Sequence, residues 1–157
     1  MLYELTPQPV AAGLLFVGIV VFLLWGMTST ALLIGWAAVK VLLALLRCTE
    51  TRRFKADPQV RERLGHWTAR YAGLMVLDAG SWSAMVVLFI ADVDPMTAAC
   101  LLAGVVGVAS LGLFTTFSHL PISLLFQTSA LVPMAVYYAW LGGITGWSIV
   151  ASAIVYY

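Results

Sequence analysis

Of the eight Lys and Arg residues in this 157-residue chain, seven fall between Arg47 and Arg70, in the segment RCTETRRFKADPQVRERLGHWTAR, and the eighth, Lys40, lies just upstream. The sequence on either side is almost continuously apolar. Only 10% of the chain is charged and 62% is hydrophobic, whereas a soluble domain carries roughly a quarter of its residues as charged types. So little polar surface cannot cover a water-soluble fold, and with a mean hydropathy of +1.00 the chain reads as an integral membrane protein. Short loops rich in Lys and Arg stay on the cytoplasmic side of a membrane. The segment from Arg47 to Arg70 is therefore the cytoplasmic anchor. Its cations Arg47, Arg52, Arg53, Lys55, Arg61, Arg63 and Arg70 set the topology, and the direction of every other segment follows from them.

A helix crossing the hydrocarbon core needs roughly 20 apolar residues, and the tract from Val10 to Leu46 is nearly twice that. The polar cluster Met27-Thr28-Ser29-Thr30 divides it into a hairpin, with helices over 9–26 and 30–47. Asp57-Pro58 reads as a helix start, Asp as the cap and Pro in the first turn, so a helix is expected from there through Arg70 into a third span over 71–91. Asp92-Val93-Asp94-Pro95 makes an acidic outer turn. A fourth span over 95–114 is rich in small residues, including Gly104, Gly107 and the pair Ala103-x-x-x-Gly107, which lets helices approach closely; it is expected at the centre of the bundle. A fifth span over 121–141 contains Pro133, which should kink it. Gly142-Gly143 then turns into a sixth, over 144–157, which looks cut short. The expected architecture is an all-α, six-span transmembrane bundle forming a single domain over 1–157, with both termini cytoplasmic and a truncated last helix.

Few residues suggest chemistry. Asp78 lies in the middle of the third span, where a charge costs on the order of 3 kcal/mol and calls for a partner or a cavity. One reading makes it a ligand or proton site with Trp82, Gln127 and Tyr137 as neighbours. The other makes it structural, paired with Lys40 or hydrogen-bonded to Ser81 or Ser83. Lys40 itself is close enough to the cytoplasmic end to snorkel. His66 and His119 lack metal-ligand spacing, and His119 reads as a helix cap. Trp25, Trp36, Trp67, Trp140 and Trp147 fall near span ends, as an interfacial belt does. Cys48 and Cys100 do not suggest a disulfide. The N-terminus lacks the basic start of a cleaved signal peptide. No nucleotide-cradling loop, nucleophile elbow or HExxH motif is present, so no catalytic residue, metal or cofactor is assigned. The basic segment is short and mixed with Glu50, Asp57 and Glu62, which argues against nucleic-acid binding.

One set of features has a familiar order. Trp36 and Arg47 stand in a W-x(10)-R spacing, followed by the basic stretch TRRFKADPQVRERLGHW. Gly80-Ser81-Trp82 sits in the third span and LLAGVVGVAS, Leu101 to Ser110, in the fourth; Leu120-Pro121 opens the fifth, and SALVP, Ser129 to Pro133, lies inside it. Over nearly the whole chain this resembles the membrane-associated sensor (MASE-like) modules that precede GGDEF diguanylate cyclase domains, and sometimes EAL or histidine kinase domains, in bacteria. The resemblance implies a sensory input domain in the bacterial inner membrane. Its partners would be lipid, a second copy of the chain and a small hydrophobic or membrane-borne ligand. An output domain would be expected after Tyr157, and GTP and magnesium would be needed only there. A histidine kinase input domain would share this architecture. A small structural or assembly subunit of a membrane complex is the alternative from a different class.

Overall fold

The computed structural model describes residues 7–116 and 119–156. These form α1 (Pro7–Leu24), α2 (Thr30–Ala56), α3 (Leu64–Phe89) with a 3-10 turn at Ile90–Asp92, α4 (Pro95–Thr116), α5 (Leu120–Leu141) and α6 (Gly143–Tyr156). No strand occurs among the described residues. Helices are the form such a sequence must take in hydrocarbon, because each satisfies its own backbone N–H and C=O groups. α2, α3 with its 3-10 turn, α4 and α5 are long and apolar enough to cross a membrane; α1 is apolar but shorter, and α6 has 14 residues. Large apolar side chains cover the outside, among them Leu15, Phe22, Leu77, Val136 and Ile144. A surface of that kind is stable against lipid rather than water. The chain has the build of a helical membrane protein.

α1, α2, α3 and α4 pack in a ring, each against the next and α4 back against α1. α5 packs against α3 and α4, and α6 against α5. The centre of the bundle is α3, not the small-residue helix α4 expected there. Met75, Ala79, Trp82, Met85, Val86 and Phe89 on α3 are all buried at helical spacing. The reason is steric. A stripe of glycine and alanine permits close approach but offers little side-chain surface, so the bulky face of α3 forms the core.

The charged connection between α2 and α3 also differs from expectation. α2 does not end at Arg47 but runs on to Ala56, and no helix starts at Pro58. Glu, Arg and Lys are good helix formers, so the charged sequence continues the helix. Proline then disfavours helical geometry in the residue before it, and Asp57 is extended (φ −81°, ψ 113°). Its carboxylate accepts the Gln59 N–H and the Trp67 indole N–H, each at 2.9 Å, and these bonds hold its pKa below the usual 3.8. At 1.5 Å per residue the 27 residues of α2 reach about 40 Å, more than the ~30 Å hydrocarbon core. The last turns of α2 and the first of α3 thus form a stem past the apolar layer. Arg70 and Arg53 bind the buried Glu50 there, at 2.7 and 3.2 Å, and Phe54 packs edge-on to Trp67. Trp36 and Trp67, assigned to the interfacial belt, are instead buried, while Trp25, Trp140 and Trp147 are exposed.

Other turns follow from local chemistry. Asp94 caps α4, accepting from the Thr97 hydroxyl (2.6 Å) and from the Thr97 and Met96 N–H groups, which lowers its pKa. His119 precedes α5 but makes no side-chain cap bond; its backbone carbonyl receives the Ile122 and Ser123 N–H groups. Gly142 and Gly143 both have positive φ (69° and 76°), a conformation that side-chain-bearing residues rarely adopt, and they reverse the chain between α5 and α6. Pro133 lies within the unbroken α5 and faces outward.

Glycines on α4 hold two aromatic rings. A Cβ at Gly104 would collide with the ring of Phe16, and one at Gly112 with the ring of Phe126. A Cβ at Gly107, between them, would meet nothing within 4 Å. Gly112→Ala is therefore expected to lower stability by about 1–3 kcal/mol through overpacking against the buried Phe126. Gly107→Ala is expected to be neutral or to gain up to about 1 kcal/mol of helix propensity. Thermal unfolding of both variants in one detergent checks the contrast.

Candidate functional site

Three ionised side chains meet between α2 and α3. Lys40 and Arg47 are seven residues apart, two helical turns, and so lie on one face of α2. Asp78 of α3 stands between them. Its Oδ1 takes the Lys40 ammonium in a close ion pair, and its Oδ2 takes Arg47 Nη1 at 2.8 Å. Lys40 also donates to the Ser81 hydroxyl (3.0 Å) and the Asp78 carbonyl (3.3 Å), so its three N–H donors each have an acceptor. Its ammonium sits 4.0 Å from the centroid of Trp82, a cation–π contact strengthened by desolvation. All three ions are largely shielded, with Lys40 at 4% and Arg47 at 8% exposure. Rather than snorkelling, Lys40 points into the bundle.

Aromatic packing secures the arrangement. The Trp36 indole donates to the Ser81 carbonyl at 2.8 Å and packs edge-on to Trp82 at 5.6 Å. Phe16 from α1 approaches Trp82 at 5.2 Å. Tyr71, also buried, interacts with the Arg47 guanidinium from the stem side.

Beside the ions lies a cavity of about 490 Å³ inside the ring of α1 to α4, within the roughly 300–1,000 Å³ of small-molecule sites. Its walls are apolar, including Val10, Leu14 and Val17 of α1, Met75 of α3, and Val108 and Leu111 of α4. Lys40, Arg47 and Asp78 form its charged side, Phe16 and Trp82 border it from one direction, and Phe126 of α5 from the other. Gly107 borders it too, consistent with the open space beside its Cα. Of the four residues grouped on the sequence as a ligand site, Asp78 and Trp82 line this cavity. Gln127 is buried on α5 and Tyr137 packs edge-on to Tyr138 further along that helix; neither lines the cavity.

Six of the seven anchor cations, Arg52, Arg53, Lys55, Arg61, Arg63 and Arg70, are exposed. Arg47 is not, and its place in the ion cluster was missed by sequence reasoning, as was the buried Glu50. The available signal was the two-turn spacing from Lys40 to Arg47 opposite an intramembrane carboxylate. Among the described residues no group of three His, Cys, Asp or Glu side chains is placed to hold a metal. Compared with protein-family models, with curated proteins and with solved structures, the chain has no match.

The arrangement can hold an amphiphile: apolar walls for a chain and a cationic side for a head. It also makes a stability prediction. Asp78→Asn leaves two shielded cations without a counter-charge and is expected to cost about 3–5 kcal/mol. Lys40→Met keeps the Arg47 bridge and should cost clearly less. Unfolding curves of the two variants in mixed micelles measure the difference, and equal costs would mean that Arg47 does not share the charge of Asp78.

Proposed function

We propose that the chain is the membrane input module of a bacterial signalling protein, with the cavity between α1 and α4 as its receiving site. The observation that carries this reading is a ligand-sized apolar cavity bordered by an ion cluster. A further support is that two motifs behind the resemblance to MASE-like sensors touch: Trp36 of the W-x(10)-R segment bonds the backbone of Ser81 in Gly80-Ser81-Trp82. In this reading α1 and α6 also enter the inner membrane, giving six spans with both ends cytoplasmic. The output is a GGDEF diguanylate cyclase working as a pair, which sets a homodimer, and α6 leads to it. GTP and magnesium belong to that domain. A helix joining the two carries occupancy of the cavity into the spacing of the paired cyclases.

Two measurements test this. In a background with Cys48 and Cys100 changed to Ser, a membrane-impermeant maleimide applied to spheroplasts should label an Asp92→Cys variant directly. It should label an Arg61→Cys variant only after permeabilisation; the reverse pattern overturns the topology. Membranes containing the protein with its complete natural coding sequence should convert GTP to cyclic di-GMP. Filling the cavity with Gly107→Leu should change that turnover by about fivefold or more, the usual scale of coupling between sites, at unchanged protein level. Autophosphorylation from ATP in place of GTP turnover would reassign the output to a histidine kinase. Neither activity would leave a structural membrane subunit and sink the input reading.

A further inference from the structure

The geometry points to a specific ligand class: the cavity takes a single-chain amphiphile with an anionic head, the head at Arg47 and the chain running between α1 and α4 toward Trp82. This deepens the sensory reading above and rests on it.

The assignment of sign comes from the ions. Lys40 and Arg47 carry two positive charges and Asp78 one negative, so the cluster keeps an excess of one cation beside a partly open apolar cavity. Asp78 is engaged on both oxygens, leaving little to attract a cationic head. Lys40 has its three donors engaged. Arg47 lines the cavity, is 8% exposed, and gives Nη1 to Asp78, with Tyr71 on the stem side of its guanidinium. A guanidinium carries five N–H donors, more than these two partners take up, and a carboxylate or phosphate oxygen is the acceptor that suits the remainder best.

The assignment of shape comes from the walls. On α1 the lining runs from Pro9 to Val17 and on α4 from Gly104 to Gly112, each a rise of about 12 Å. The two helices are antiparallel neighbours in the ring, so the space between them is a slot along their axes rather than a round chamber. Arg47 and Leu111 border one end; Phe16, on the Gly104 backbone, and Trp82 border the other. Gly107 keeps the middle of the slot clear. An unbranched chain of medium length fits this form better than a fused-ring or bulky molecule does. The stem cations place the head end on the cytoplasmic side, where such an amphiphile enters from the inner leaflet or the cytosol.

Trp82 makes the proposal measurable. The full chain in neutral phosphatidylcholine nanodiscs is titrated with ω-bromodecanoate, whose terminal bromine quenches indole fluorescence on contact. Saturable quenching is expected, lost in a Trp82→Phe variant, with an affinity about tenfold or more above that of the methyl ester, as a charge-assisted bond supplies. Arg47→Gln should bring the acid down to the level of the ester. Gly107→Leu, which fills the slot without removing any contact, should abolish the quenching while leaving the melting temperature unchanged or raised; this variant decides the matter even if Arg47→Gln fails to fold. The ω-bromodecyl phosphate arm separates sources: tighter binding than the carboxylate indicates a lipid phosphate head, and weaker binding indicates a free fatty acid. Equal or tighter binding of the methyl ester or of ω-bromodecyltrimethylammonium overturns the anionic assignment while the sensory cavity survives. No saturable quenching of Trp82 by any of the four removes both.

Discussion

The structure depends on what an ionised carboxylate requires in hydrocarbon. Asp78 cannot stand alone there, and the cations that reach its carboxylate are Lys40 and Arg47 on α2. Once both close on it, α2 and α3 have a single register. Trp36 meets Ser81, Lys40 and Arg47 meet Asp78, Glu50 meets Arg70, and Phe54 meets Trp67. These contacts advance along α2 as they retreat along α3, which is the signature of one antiparallel zipper. A slip by one turn would break every one of them. Apolar helices in lipid lack a hydrophobic drive to associate, because lipid tails are as apolar as leucine. Register must then come from packing shape and from polar contacts, and here it comes from both, with Trp82 shared between the two.

That rigid pair explains how a cavity persists beside it. α1 and α4 contribute no ion pair to the ring; they lean on it through Phe16 and through the glycine notches of α4. Each ring seated on a glycine fixes the distance between helices at about the thickness of an aromatic side chain. Between the two seats, at Gly107, nothing reaches across. The slot is a consequence of where the aromatics stand: phenylalanine at both ends and no large side chain in the middle. Had residue 107 carried a leucine, the same helices would pack with the space filled.

The class of fold was legible in the sequence, and so were several connections. The Met27–Thr30 break and the Asp92–Pro95 turn fall where polar and proline residues interrupt apolar tracts, and such punctuation is local. Lys40 could be named as a partner for Asp78 because both stand out against an apolar background. Arg47 could not, because it sits among loop cations and the charge rule counts it with them. Glu50 was lost in the same crowd, and α2 continued through charges that water solvates without ending a helix. Trp36 and Trp67 sit near span ends, where tryptophan is common at the interface, yet each ring is buried and its indole N–H has a partner, Ser81 and Asp57 respectively. Gln127 and Tyr137 were grouped with Asp78 by polarity alone; α5 carries them to other neighbours. Helical periodicity, which exposes a buried face in soluble proteins, is weak where lipid and core are both apolar, so the central role of α3 left no mark in the hydropathy pattern.

The same division of labour decides how an occupant of the slot would be felt. The α2–α3 zipper is held by charges whose separation in a low dielectric is costly, so it is the part least able to yield. α4 is held by shape. Its seat on Phe126 belongs to α5, and α5 is the helix against which α6 packs, with Gly146 set so close that a Cβ there would strike the Tyr138 carbonyl. In the proposed sensory reading, a chain inserted between α1 and α4 would press on α4 and on the ring of Phe126, and the displacement would pass along α5 to the Gly146–Tyr138 contact. The stem, gripped by Glu50 and by Asp57, would then be the reference against which α6 shifts. Ions fix one half of the bundle, and apolar packing holds the other.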